Sequence, residues 1–389
     1  MSLTQRFYFA LRLAWRQLTY ERGKLIAALL GVMFACVLVF MQLGFKDSLY
    51  ESISTVVKRL SGDIFIMHKQ TEALWRTVPF ERSELLRAFA SPAVKSATPL
   101  YIGQAQWKNP ATQTKRTLLV WASEPTEMLL QIPELTSYNK QLTRENTVAF
   151  DELSRPEFGP VKDLMAKGPV ITEINDRKME VVTTFKLGAS FAADGNLITS
   201  DQNFFRIFPN RNMNQVDVGV IRLKSGSDIL GVQKELRALL NENVHVFTLK
   251  EIVAYEFAYW QNNAPIGFIF GFGTVMGLVV GMVIVYQILF TDITNHLNEF
   301  ATLKAMGYAH RYLIMVVFGS SLILAVIGFV PGFLLSLGLY RFAETVTFIP
   351  MPMPLTKVLM VFLMILTMCV VAGSLAMRKM RQANPADMF

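Results

Sequence analysis

Cysteine is scarce here, at two residues in 389. Cys36 and Cys369 both lie in long uncharged runs, so no disulfide framework staples the rest of the chain. Both read as small apolar packing residues. The histidines His68, His245, His296 and His310 are scattered, and no pair has the spacing of metal ligands. The phosphate-cradling pattern GxxxxGK[ST] is missing: Gly23-Lys24 lacks the upstream glycine and is followed by Leu25. Neither GxSxG nor HExxH occurs. These absences exclude a P-loop nucleotide site and leave no recognisable hydrolytic centre. The chain is expected to be non-catalytic, with no cofactor or metal of its own.

Charge is missing from four apolar runs, 25–43, 266–290, 312–340 and 358–377, which contain no Asp, Glu, Lys, Arg or His. A membrane span needs about 20 apolar residues at ~1.5 Å each, and all four runs qualify. The first is just long enough to cross with little tilt. The third is the longest and is expected to project, tilt or kink near Pro331. An ion-driven transporter usually keeps ionisable side chains or broken helices at the bilayer midplane. Uncharged spans therefore argue against a proton or sodium relay. At 52% hydrophobic residues, the chain reads as part membrane and part soluble domain.

The charge that is present sits beside the runs. Arg6, Arg12, Arg16, Arg22 and Lys24 precede the first, and Arg378, Lys379 and Arg381 follow the last. The short loop between the third and fourth has only Arg341 and Lys357 as basic residues. By the positive-inside rule both termini and the loop after the second run are cytoplasmic, in an inner (plasma) membrane. The net charge of +8 is then partly a topology signal. Nucleic-acid binding is disfavoured, because no basic-aromatic cluster lies elsewhere. The first run is too long for a signal-peptide core, and no small-x-small cleavage site follows it.

The resulting order is an amphipathic cytoplasmic helix (1–24), a first span (25–45) and an external domain (46–262). A second span (263–290), a cytoplasmic helix (291–311) and a third span (312–340) follow. A short outer loop (341–357), a fourth span (358–377) and a cytoplasmic tail (378–389) complete the chain. The fold class is an α-helical membrane protein with four transmembrane helices and a large α+β extracytoplasmic domain on helical stalks. Leu49, Ile53, Val56, Val57 and Leu60 recur at helical spacing, as do Leu249, Ile252, Val253, Phe257 and Trp260. Stretches 46–60 and 249–262 read as paired stalks, with Ser54 and Glu256 on the exposed flank. They would lift the domain by about 20 Å at ~1.5 Å per residue. The alternative is that both are core helices of the domain.

Within the domain, 63–68, 117–121 and 181–185 read as strands and 83–90 as a helix. The clearest unit is strand 217–223, helix 227–240 capped by Ser227 or Asp228, and strand 245–248. The stretch 124–214, rich in Pro, Gly and Asn, reads as a separate lobe. The outer sequence Ile349-Pro350-Met351-Pro352-Met353-Pro354 reads as a stiff extended turn. No internal repeat or low-complexity stretch is present.

Two patterns point to function. In 291–311, Ile293, Leu297, Phe300 and Leu303 fall on one helical face, Glu299 and Lys304 flank it, and Gly307 stands where a C-cap glycine belongs. A short helix between two spans can seat in a groove of a soluble partner, with the apolar residues as anchor and the charges at the rim. The alternative for the charges is a solvated surface. In the second span, Gly267, Gly271, Gly273, Gly277 and Gly281 let backbones approach closely. That serves either packing within the chain or a homodimer face.

Three stretches carry a family resemblance. They are Leu13-Ala14-Trp15-Arg16-Gln17-Leu18 running on to Leu30-Gly31-Val32, the segment Glu299-Phe300-Ala301-Thr302-Leu303-Lys304-Ala305-Met306-Gly307, and the tail from Arg378 to Asn384-Pro385-Ala386-Asp387. With the one-span, domain, three-span layout, they resemble the MacB/FtsX-like permeases of ATP-binding-cassette systems, most closely the DevC type of a cyanobacterial glycolipid exporter. A free-standing permease is expected, since MacB itself carries a fused ATPase ahead of its first span whereas here the first span opens at Leu25. It implies a homodimer, a separate ATPase that binds ATP and magnesium, and often a periplasmic membrane-fusion adaptor with a TolC-like outer-membrane channel. It further implies mechanotransmission: ATP-driven closure reaching the external domain, here to export a lipid, a glycolipid or another substrate. FtsX-like regulation of a cell-wall hydrolase and lipoprotein release are the alternatives.

Overall fold

The structure, a computed structural model, describes residues 3–125, 127, 129–190, 192–262, 266–296, 302 and 310–382. In chain order the helices are α1 (Leu3–Tyr20), α2 (Arg22–Lys58), α3 (Arg82–Arg87), α4 (Asn139–Leu142), α5 (Val161–Met165), α6 (Asp201–Ile207), α7 (Ile229–Leu239), α8 (Leu249–Asn262), α9 (Ile266–Asn295), α10 (His310–Thr347) and α11 (Leu355–Gln382). The strands are β1 (Ile64–His68), β2 (Phe80–Glu81), β3 (Val94–Lys108), β4 (Lys115–Ser123), β5 (Thr147–Asp151), β6 (Val170–Ile174), β7 (Arg177–Phe185), β8 (Asn196–Ser200), β9 (Gln215–Val216), β10 (Val218–Leu223) and β11 (Val244–Thr248). The chain divides into two compact units.

The first unit comprises Met1–Asp47, Ile266–Glu344 and Met351–Phe389. Among the described residues, four helices are long and apolar enough to cross a membrane: α2, α9, α10 from Ile314, and α11 as far as Met377. Val32, Cys36 and Val39 of α2 meet Val285 and Leu289 of α9, Leu324 of α10, and Val361, Ile365 and Cys369 of α11 in one core. These positions recur every three or four residues, which places them on one stripe of each helix. Small residues bring the helices close: a Cβ added at Gly332 would stand 2.8 Å from Cys36 Cβ. The outward faces, such as Ile26, Leu30 and Phe34 on α2, are exposed and apolar.

Two boundaries differ from the sequence reading. α2 is a single helix of 37 residues, longer than any span requires. α10 has 38 residues, about 57 Å at ~1.5 Å rise, against a hydrocarbon core of about 30 Å. Pro331 sits inside α10 without ending it. The helix stops at Thr347, where Phe348 takes a left-handed φ of 58° and Pro350 follows. The outer loop expected at 341–357 is therefore only 348–354, because 341–347 continue the helix.

The second unit comprises Ser48–Pro265 and Thr345–Pro350. Its main sheet has nine strands in the order β11-β1-β10-β3-β4-β8-β5-β7-β6. β1 lies between β10 and β11 and is antiparallel to both, so the expected strand-helix-strand unit is present but split by β1. Asp228, not Ser227, caps α7 by accepting from Leu230 N. Both sheet faces are buried. Leu118, Val120 and Ala122 of β4 enter one core, and Leu119 and Trp121 enter the other. The period of two divides each strand between two layers, so strands read as continuous apolar runs.

The stretch expected to be a separate lobe supplies β5 to β8 of this same sheet. β4 and β8 pair in parallel, as do β5 and β7. The long β3 pairs with β10 over Val94–Leu100 and with β4 over Leu100–Lys108, and it also meets β6 at Trp107↔Ile174. That pairing closes β3, β4, β8, β5, β7 and β6 into a ring. Trp107 is fully buried at the closure and donates from Nε1 to Phe158 O at 3.0 Å.

Candidate functional site

The segment expected to engage a partner begins as a continuation of α9, which runs past 290 to Asn295. Ile293 was expected on the partner-facing stripe. It is instead 4% exposed and belongs to the helical core, because its position in α9 continues the inward stripe of Val285 and Leu289. His296 is buried and its Nδ1 lies 3.0 Å from Asp292 O. Asn295 Nδ2 donates to Glu21 Oε1 at 3.4 Å, and Glu21 also pairs with Lys24. Thr302 is exposed. Leu297, Glu299, Phe300, Leu303, Lys304, Ala305, Met306 and Gly307 lie outside the described residues.

The glycines of α9 do different things. A Cβ at Gly277 would stand 3.2 Å from Leu38 Cβ, and one at Gly281 would stand 2.5 Å from Ala35 Cβ and 2.7 Å from Met368 Sδ. Gly273 lies against the Gln42 side chain. These three seat α9 on α2 within the chain. Gly271 faces open space, and Gly267 is half-buried.

The expected stalk residues are largely domain core. Val56, Val57, Leu60 and Ile252 are buried in one cluster, with Leu249 and Val253 packed against it. Leu49 is half-buried. The side chains of Ile53 and Ser54 lie outside the described set. Phe257 is 41% exposed, with its ring 4.3 Å from that of Tyr50. Trp260 is buried, 6.1 Å from Trp75.

Glu256 is a correction. Expected on the exposed flank, it is 3% exposed. It accepts from Leu74 N at 3.0 Å and from Trp260 Nε1 at 3.2 Å. Burial pushes its carboxyl above the ordinary range, and those two donors oppose the rise. The one signal in sequence is a glutamate four residues before a tryptophan on the same helix, which the apolar stripe masks.

The sequence reading also missed a polar cluster in the helical unit. Lys357 lies 6% exposed, where a basic residue beside a span marks orientation only. Its Nζ is 2.9 Å from Asp47 Oδ2 and donates to Pro352 O at 3.0 Å. The same nitrogen stands 5.8 Å from the Tyr340 ring. Tyr340 donates to Phe40 O at 2.6 Å, and its ring fills the space beside Gly44. Tyr340 of α10 and Lys357 of α11 thus hold α2 at Phe40, Gly44 and Asp47. Among the described residues, no group of three or more His, Cys, Asp or Glu is placed to hold a metal.

Comparison with known proteins places part of this frame. Residues 271–385 match the FtsX-like permease C-terminal family, a stretch that opens in α9 and takes in 291–311, α10 and α11. No curated protein gives a match. Among solved structures, the chain is similar to the periplasmic region of MacB from Actinobacillus actinomycetemcomitans, at 12% identity and a TM-score of 0.34, covering 50% of this chain and 93% of that one. It is also similar to the extracellular domain of the noncanonic ABC-type transporter YknZ from Gram-positive bacteria, at 14% identity and a TM-score of 0.35, covering 48% and 99%. Both likenesses are too loose to carry a functional argument.

Proposed function

We propose that this chain is the membrane subunit of an ATP-driven exporter of the MacB/FtsX-like kind, nearest the DevC type. The observation that carries this reading is the match of residues 271–385 to the FtsX-like permease C-terminal family. Two copies would assemble in the inner membrane with their termini in the cytoplasm. A separate ATPase would bind ATP and magnesium and hold 291–311 in a surface groove. The cargo would be an envelope lipid or glycolipid, passed through a periplasmic adaptor to a TolC-like outer-membrane channel.

Ile293 is excluded from the docking face by its burial. The anchors are then Leu297, Phe300 and Leu303. Movement would pass along α2, which is unbroken from Arg22 to Lys58. A continuous helix transmits displacement as a rigid body. The chain itself would carry out no chemistry.

Replacing Phe300 and Leu303 together by Ala tests the docking. Loss of a buried aromatic anchor commonly costs ~2 kcal/mol or more in binding, roughly thirtyfold in affinity. The double variant should insert normally, yet fail to retain an ATPase subunit on purification in mild detergent. Unchanged retention and unchanged stimulated hydrolysis would show that 291–311 is only a linker. Copurification of a cell-wall hydrolase in place of an adaptor would shift the reading to regulation.

A further inference from the structure

α1 has two dissimilar faces. Ala10 and Ala14 are fully buried and pack on Val316 of α10, with Leu13, Tyr312 and Met315 beside them. The approach is close: a Cβ at Gly319 would stand 3.3 Å from Ala14 Cβ and 3.6 Å from Leu11 Cα. On the other face Tyr8 is 63% exposed, Phe9 and Trp15 are 45%, and Tyr20 is 83%. Arg12 and Arg16 are exposed among them. No acidic residue occurs in α1.

The unit itself sets the depth of this helix. The uncharged run of α10 begins at Tyr312, so α1 lies against its first turns. α1 ends at Tyr20 and α2 starts at Arg22. The exposed apolar stripe of α2 opens at Ile26, about 6 Å further on at ~1.5 Å per residue. Both neighbours place α1 at the edge of the apolar band. Aromatic rings with an apolar body and a polar edge, interleaved with arginines, suit the headgroup layer. A wholly aqueous face would gain nothing from four exposed aromatic rings.

We propose that the outward face of α1, formed by Tyr8, Phe9, Arg12, Trp15, Arg16 and Tyr20, lies in the headgroup layer and binds anionic phospholipid through the two arginines. The proposal rests on the reading that α2 and α10 cross a membrane. The rings sit at the boundary of headgroup and acyl chain. The guanidinium groups, one helical turn apart, reach lipid phosphates bidentately. With no carboxylate on the helix, nothing offsets their attraction to an anionic leaflet.

The test uses the full chain reconstituted in vesicles of phosphatidylcholine, with or without a third of phosphatidylglycerol. Spin labels go on cysteines introduced singly as Phe9→Cys, Tyr20→Cys, Phe34→Cys and Asn210→Cys. Cys36 and Cys369 are buried, and unmodified protein gives the background. Labels at 9 and 20 should collide with dissolved oxygen more than with a nickel chelate, midway between 34 in lipid and 210 in water. If 34 reads as lipid while 9 and 20 read as water, α1 is free for a protein partner and the proposal fails. If 34 also reads as water, the membrane-spanning reading fails instead.

Spin-labelled lipids added to the otherwise unmodified chain then report charge selectivity. Each arginine near an anionic surface contributes up to about fivefold. Arg12→Gln with Arg16→Gln should lower the preference for phosphatidylglycerol severalfold. The single Arg12→Gln variant serves should the double variant fold poorly. A preference equal to that of the unmodified chain would overturn the anionic-lipid assignment.

Discussion

Buried serine and threonine hydroxyls between the helices are satisfied locally, whereas two buried aspartates of the sheet domain are satisfied remotely. Thr274, Ser320, Ser321 and Ser336 are buried between helices, and each donates to a carbonyl four residues back on its own helix. In the sheet domain, Asp217 is fully buried and ties three distant places together. It accepts from Thr77 Oγ1 at 2.8 Å, from Ile102 N at 2.9 Å, and from Arg211 Nη2 at 2.7 Å. Asp151 similarly accepts from Leu187 N, Gly188 N and Asn196 Nδ2. Local bonds survive when one helix slides on another. Remote bonds must break when a sheet shears. Shearing the sheet would therefore break these remote bonds, whereas a shift between helices would leave the local ones intact.

The largest effect should come from cutting a remote bond. Asp217→Ala strands a half-buried guanidinium, a hydroxyl and a buried backbone N–H. Removing one member of such a network costs about 3 kcal/mol or more. Asp217→Asn keeps an acceptor and should lose less. Denaturant unfolding of the purified chain, followed by near-UV dichroism, measures both. A loss below ~1 kcal/mol for Asp217→Ala would mean that the network is not what holds these segments together.

Next in size is a buried group of the helical unit that is satisfied remotely. Lys357 is buried while the Asp47 side chain is 47% exposed, so the two halves of this pair are unequal. Asp47→Ala leaves a buried ammonium with only Pro352 O and the Tyr340 ring, and should cost about 2 kcal/mol. Lys357→Met leaves a carboxylate that water can reach, and should cost under ~1 kcal/mol. Thermal unfolding of both variants in the same detergent measures the difference. Equal losses would show that the pair is a surface contact and that α2 is not gripped there.

Glu256 brings the contrast into the pH profile. Its folded-state pKa is raised, first by burial, so the native state holds the proton more tightly than the unfolded chain does. Stability is then highest at and below the ordinary carboxylate range. It falls as pH rises through the raised native value. Glu256→Gln should flatten the profile from the ordinary carboxylate range up to the raised native value. It should not weaken the protein at the upper end, since the amide oxygen can still accept from Leu74 N or Trp260 Nε1. An unaltered slope would place the titration elsewhere.

What could be read from sequence follows the same division. The four apolar helices were legible because an uncharged run needs no partner to identify it. The β10-α7-β11 unit was legible from its alternation and its cap at Asp228. Ring closure at Trp107↔Ile174 was not, because it joins strands far apart in sequence and leaves no local period. The end of α10 was misplaced at 340 because polarity marks where lipid stops, whereas Phe348 and Pro350 mark where the helix stops. Ile293 and Glu256 went astray for a related reason. Helical spacing gives a face, but not what covers it. Lys357 looked like a topology marker because its partner, Asp47, lies inside α2 and far away in sequence.

The smallest expected effect is the strictest check on the contrast. Ser336 is fully buried on α10, yet its hydroxyl serves only Gly332 O, at 2.7 Å. That carbonyl already belongs to the helix ladder, so the extra bond satisfies the hydroxyl and does little for the fold. Back-bonding of this kind is neutral or slightly unfavourable to a helix. Ser336→Ala should thus change thermal stability in detergent by less than ~0.5 kcal/mol, despite complete burial. An equally buried polar group with remote partners, Asp217, should lose several times more. A drop above ~1 kcal/mol at Ser336 would mean that the helices are held by polar contacts across their interface. The contrast between local bonds in the helices and remote bonds in the sheet would then fail.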